Sequence, residues 1–339
     1  MKKEKIDKNA AALTEDKPSK KKPEAYEESA IPLFLCLVCM GITLTAVLIN
    51  TFAVDFGKEL LAPVILELVA IVLPCYLMLL TLYPKKTAKE QFGAVGFRTV
   101  GVRYIFFILF SALFMMSASM VVSVLFGGVY SAAEGVTLLG TFTAGENDYT
   151  VAIPYLILAY ALIPAVAEEF LLRGMVFSQL GGLGFAAAAV ISAVLSGLMS
   201  FSLGGFIPAM FAAIMSCFVL YTTGSLWACM IVRFAFNVYR LFLEVNMSAY
   251  YISSSSRGLI LVVIFGAFIV CGVLFFGESA KIYREKAEKV ASGENEASSL
   301  CFKTFVSDIK KTVSYRPTDI MAIACALIFC AVALINYLT

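Results

Sequence analysis

The sequence predicts an all-α polytopic membrane protein with eight or nine transmembrane helices. Three observations carry that prediction. Of 339 residues, 60% are hydrophobic, against about 45–50% in a typical soluble domain, and the mean hydropathy is +0.89. Nine apolar stretches approach the roughly 20 residues that a helix needs to cross a bilayer. The basic residues are also unevenly placed: residues 1–22, 84–103 and 277–317 hold 21 of the 26 lysines and arginines, and 127–148 holds none.

Taken in order, residues 1–30 are polar and lysine-rich and read as a disordered basic cytoplasmic tail. The apolar stretch that follows is too long for a signal peptide and lacks a small-residue cleavage pattern, so it reads as a retained first helix. The predicted spans are 31–53, 60–83, 104–126, 149–167 (running on as helix through 178), 184–203, 206–222, 225–243, 258–276 and 318–338. The connection at 203–206, "LGGF", is tight and leaves the count at eight or nine. With the amino terminus inside, nine helices put all three basic segments in the cytoplasm, as the positive-inside rule requires. The chain therefore divides into the tail (1–30), amino-terminal helices and loops (31–148), a core (149–243), a further helix (244–276), a charged cytoplasmic segment (277–317) and a last helix (318–339). The expected location is the plasma membrane of a bacterium.

Nine cysteines, with "CLVC" at Cys36 to Cys39, have the spacing of a redox or metal motif. Most lie in apolar runs, where cysteine acts as a small hydrophobe, and the chain has no histidine to complete a metal set. No P-loop, GxGxxG or nucleophile elbow is present, and no nucleic-acid partner is expected.

Charges inside apolar runs carry the functional signal, because each costs several kcal/mol in a bilayer unless it faces a cavity or a partner. They cluster on two segments, with Glu168, Glu169 and Arg173 on the fourth and Arg233, Asn237, Arg240 and Glu244 on the seventh. The remaining runs read as nearly free of charge. Glu169 and Arg173 stand at i,i+4 with the acid first, the favourable order for an ion pair on one face. Glu168 is turned about 100° from its neighbour and points elsewhere. Pro164 removes a backbone donor just before the pair and predicts a kink. The seventh-segment residues fall at spacings of four, three and four, making one polar stripe that needs a polar partner, for which the glutamates are the supplier. On the fifth segment Ser192, Ser196 and Ser200, with Ala193 and Gly197 beside them, suit either close helix packing or the lining of a cavity.

"EEFLLRG" (168–174), the helix of small residues after it and "GSLWACMIVRFAFN" (224–237) together resemble the three motifs of the CPBP family, the CAAX proteases and bacteriocin-processing (Abi) intramembrane proteases. The family pattern is Glu-Glu-x-x-x-Arg, Phe-x-x-x-His and His-x-x-x-Asn, and the resemblance covers about 149–243. It implies a CPBP-type core in which Glu168 is a water-activating general base, Glu169 and Arg173 its supporting pair, and Asn237 an oxyanion-stabilising residue. Both family histidines are replaced, by Ser200 and Arg233. Serine is no imidazole and arginine stays protonated, so no cofactor is expected and a family metal requirement cannot be met by histidine.

The resulting expectation is an intramembrane endopeptidase by resemblance, catalytically impaired, serving as a membrane peptide-binding or scaffold protein. Its partner would be an unidentified membrane protein or peptide within the lipid bilayer. The alternatives are an active glutamate-dependent protease and a small-solute transporter; against the latter, no internal repeat of the transporter kind is visible.

Overall fold

In the computed structural model the described residues are 36, 38–42, 44, 64, 67–130, 153–178, 180, 185–199, 203–244, 255–291, 324 and 327–331. Among them the chain is all helical apart from short turns. Eight helical elements follow in order: α1 (Leu68–Leu82), α2 (Ala88–Ala94), α3 (Ile105–Tyr130), α4 (Ile153–Phe177), α5 (Phe185–Leu198), α6 (Leu203–Thr223), α7 (Leu226–Tyr239, continued by a π turn Arg240–Glu244) and α8 (Arg257–Ala291). Seven of them fall on predicted spans. Five contain stretches long and apolar enough to cross a membrane, and α1 and α5 are shorter apolar helices. Of the first and last predicted spans, only helical positions within 36–44 and 324–331 are described.

Two prolines shape the helices that carry charge. α1 begins with a π turn, Leu68–Val72, just ahead of Pro74, and α4 contains a π turn, Leu158–Leu162, just ahead of Pro164. Proline has no N–H and its ring crowds the carbonyl four residues back, so widening the preceding turn relieves the clash. Pro164, where a kink is expected, follows this π turn. A second π segment, Phe170–Phe177, follows at once, so Glu168 and Glu169 end a short α-helical stretch, Ile163–Glu169, held between two widened ones.

The two larger apolar groups meet at α7, and a smaller third joins α3 to α8 around Val121 and Ile264. α1, α4, α5 and the start of α7 share one, with Leu79, Leu171, Met175, Leu195 and Leu226 buried together. α3, α6, α7 and α8 share the other around Phe107, Met115, Val219, Val232 and Phe275. Cys36, Cys39 and Cys75 lie buried together in the first group, and no disulfide forms among the described cysteines.

α4 and α7 run antiparallel. Gly174 lies against Leu226, Glu168 meets Arg233, and Asn237 reaches Ala161, so the paired residue numbers sum to a nearly constant value. A Cβ on Gly174 would stand 3.2 Å from a Leu226 methyl and 3.1 Å from the Phe170 ring, so the two helices cross closely there. The start of α7 is fixed from outside. Gly224, at φ +67°, turns the chain after α6 in a conformation that costs glycine little. The Leu226 N–H then donates to the Gly96 carbonyl at 2.8 Å, and the Ser225 hydroxyl bonds the Arg98 carbonyl. The end of α6 is held by α8, whose Lys286 donates to the Thr222 carbonyl at 2.8 Å.

Candidate functional site

The two charged segments meet across the α4–α7 contact. Glu169 and Arg173 form the predicted i,i+4 pair, Oε2 to Nε 3.2 Å, with both side chains wholly inaccessible. Glu169 Oε1 accepts a hydrogen bond from Ser216 of α6 at 3.1 Å, and the Ser216 carbonyl in turn accepts the Cys229 thiol at 3.3 Å. Cys217 also lies beside Arg173. Ser192 of α5 donates to the Leu172 carbonyl at 3.1 Å, inside the π segment where the ordinary helical ladder is broken. Ser216 of α6 thus bonds the pair directly, while α5 and α7 bond backbone carbonyls beside it.

Glu168 points the other way, as its rotation around the helix requires, and forms an ion pair with Arg233 of α7. Arg233 is 8% exposed and Glu168 25% exposed, so the guanidinium is enclosed while one edge of the carboxylate stays open. The Arg233 guanidinium sits 5.9 Å from the Phe236 ring, within cation–π range. Asn237, one turn further on, donates from Nδ2 to the Ala161 carbonyl at 3.2 Å, a group of the first π turn. In this arrangement Asn237 ties α7 to α4. Arg240 is exposed and the Glu244 side chain lies outside the described residues, as does Ser200. Ser196 is buried on the α5 face that Phe206 and Met210 of α6 cover beside Gly197.

Two members of the site are absent from the sequence reading. Ser216 is a lone serine in an apolar run and carries no signal of its role. Glu67 contradicts the reading that the other runs are nearly free of charge. It precedes the π turn of α1, lies within electrostatic reach of Glu168 and Arg233, and has its Oε2 buried without a hydrogen-bond partner. It lacks an i,i+4 partner on its own helix, since its neighbours in the cluster come from α4 and α7.

The chemistry of the donors follows from these pairings. A divalent cation needs carboxylates or imidazoles free to bind it, and here Glu168 and Glu169 are each committed to a guanidinium. Two fixed positive charges beside the carboxylates repel a metal ion, and among the described residues no three His, Cys, Asp or Glu side chains are grouped so as to hold one. What the arrangement offers is one partly open carboxylate, Glu168, at the side of an enclosed cation. Counted along α7 from Leu226, Arg233 lies about 10 Å below the helix start.

Residues 150–239 match the family model described as type II CAAX prenyl endopeptidase Rce1-like. The match spans α4 to α7 and includes every described residue of the two ion pairs. No curated protein and no solved structure matches the chain.

Proposed function

We propose that this chain, an integral membrane protein whose residues 150–239 are an Rce1-like domain of the CPBP intramembrane protease family, is catalytically impaired and binds a peptide or membrane segment without cutting it. The observation that carries this reading is the Glu168–Arg233 ion pair. Read on the family pattern, Glu168 stands where a general base activates water and Arg233 where a histidine belongs. A general base must accept a proton at the pH of the reaction. Here the Arg233 guanidinium occupies one oxygen of the Glu168 carboxylate, and a guanidinium cannot shuttle a proton onward. With no histidine anywhere in the chain, no other residue supplies an imidazole.

The pairing also explains why the glutamates persist. A lone carboxylate in a bilayer is costly, whereas two charges in contact are much less so. The Glu168–Arg233 pair ties α4 to α7 and holds the two helices in register. The end of the bundle where Arg98, Arg103 and Lys286 gather is the cytoplasmic one on the positive-inside rule, and the site then lies near that face. A bacterial plasma membrane is the location this reading takes.

The test separates binding from cleavage. Purified full-length protein is offered a library of transmembrane and carboxy-terminally prenylated peptides, and products are read by mass spectrometry alongside binding. The expected outcome is retained peptide with no new termini, and binding largely unchanged in Glu168→Ala. Cleavage by the wild type that Glu168→Ala abolishes would refute the reading and establish a glutamate-dependent protease.

A further inference from the structure

Counting charges in the cluster leaves one group over. The carboxyls are Glu67, immediately before α1, and Glu168 and Glu169 from α4; the cations are Arg173 from α4 and Arg233 from α7. Two pairs form, Glu169 with Arg173 and Glu168 with Arg233, and Glu67 belongs to neither. α1 packs directly against the Ile163–Glu169 stretch and the π segment after it. This places Glu67 beside the outer pair, where the charges of both Glu168 and Arg233 are felt at its carboxyl.

The unfilled hydrogen-bonding capacity is complementary. Glu67 Oε2 is buried with no donor, and Arg233 Nε and Nη1 are buried with no acceptor, since Arg233 reaches Glu168 through Nη2 alone. Buried polar groups without partners each cost about 1–3 kcal/mol, and such a group in a folded protein calls for an explanation. A guanidinium presents five N–H donors in a planar fork and can serve two carboxyls at once or pass between them.

We propose that Glu67 is a positioning residue of this centre: a second carboxyl that competes with Glu168 for Arg233 and so sets how firmly the guanidinium covers Glu168. When Arg233 turns toward Glu67, the Glu168 carboxyl is released to the open side of the site. When it turns back, the site closes. The proposal rests on the closed Glu168–Arg233 pair of the preceding section and adds to it a residue outside the 150–239 domain.

A hydrophobic carbodiimide tests this, because it modifies a membrane carboxyl only in its protonated form. The full-length protein in detergent is treated with dicyclohexylcarbodiimide over a range of pH, and labelling at Glu168 is read by peptide mass spectrometry. Removing the competitor in Glu67→Gln leaves Arg233 on Glu168, so labelling of Glu168 slows by about tenfold at fixed pH, the change that about 1.4 kcal/mol of firmer pairing gives. Glu67→Asp keeps the carboxyl and restores labelling toward wild type. The Glu67→Gln effect shrinks in an Arg233→Met background, since it acts through Arg233. Unchanged Glu168 labelling in Glu67→Gln, or an equal effect with and without Arg233, overturns the proposal. If Arg233→Met alone leaves Glu168 labelling unchanged, the ion pair itself is wrong and both readings fall. If Arg233→Met accelerates labelling while Glu67→Gln does nothing, only the role of Glu67 falls.

Discussion

Removing either member of the buried Glu169–Arg173 pair should be costly, and the two costs should differ. At 3.2 Å with both side chains inaccessible, the attraction is worth about 5 kcal/mol at an effective dielectric of about 20. Desolvation offsets part of that gain, but a partner left alone pays its own desolvation without return, typically about 3–5 kcal/mol. In Glu169→Gln the survivor is Arg173, which cannot lose its proton and stays charged beside Cys217 in an apolar setting. In Arg173→Met the survivor is Glu169, which can take up a proton and keep its bond from Ser216. Glu169→Gln should therefore sit at the upper end of that range and Arg173→Met well below it. The double variant should recover most of the loss, because two neutral side chains of similar size leave no buried charge. The assay is unfolding in mixed micelles at fixed pH, with all variants compared at the same detergent fraction. Equal single costs that simply add in the double variant would refute the argument, since additivity means the two side chains do not sense each other.

Three further outcomes follow from local geometry. A Cβ on Gly197 would lie 2.8 Å from the Phe206 ring and from Met210 Cγ, so Gly197→Ala should lower stability by about 1–3 kcal/mol through overpacking of α5 on α6. Gly266, on α8 with no neighbour near its Cβ, serves as the control: Gly266→Ala should be neutral or slightly stabilising. Asn237→Ala removes the bond to the Ala161 carbonyl and should cost about 1 kcal/mol, read by the same unfolding assay, with no effect on the Glu169–Arg173 coupling. At α2, the Thr87 N–H and hydroxyl both donate to Glu90, at 2.9 and 3.0 Å, and these bonds hold the Glu90 carboxyl below the ordinary carboxylate range. A lowered folded value means the capping box stabilises above the unfolded value and loses that contribution as pH falls through the folded one. Amide exchange at Thr87 and Gln91 should accordingly be faster in Glu90→Gln than in wild type near neutral pH, and the difference should vanish in acid.

The sequence made the two charged segments legible for a simple reason. Ionisable residues in apolar runs are expensive, so their positions mark where helices face each other, and the i,i+4 spacing of Glu169 and Arg173 gives their pairing directly. The rotation of Glu168 away from Glu169 and the stripe through Arg233 and Asn237 likewise point the right faces together. The tertiary partners were not legible. Glu67 stands near the start of its run and has no charged neighbour at helical spacing, and its role depends on α4 and α7 packing beside it. Ser216 is one hydroxyl on an apolar helix, indistinguishable by pattern from a serine bonded to its own backbone, as Ser111 is to Phe107. The π turns ahead of Pro74 and Pro164 are invisible to periodicity, because a single widened turn changes the phase of a helix without changing its composition. Asn237 illustrates a different limit. Its place in the motif resemblance implies contact with a reacting oxyanion; the bond its amide makes to a backbone carbonyl of the neighbouring helix is a second contact that the motif does not announce.

The account turns on whether Arg233 and Glu168 act as one closed unit. The direct measurement is a double-mutant cycle of Glu168→Gln and Arg233→Met on the unfolding of the full-length protein in detergent. A coupling above about 1 kcal/mol is the predicted result, because an enclosed guanidinium that loses its carboxylate keeps an uncompensated charge. Absence of coupling would contradict the account and leave Glu168 as a free carboxylate facing an open site.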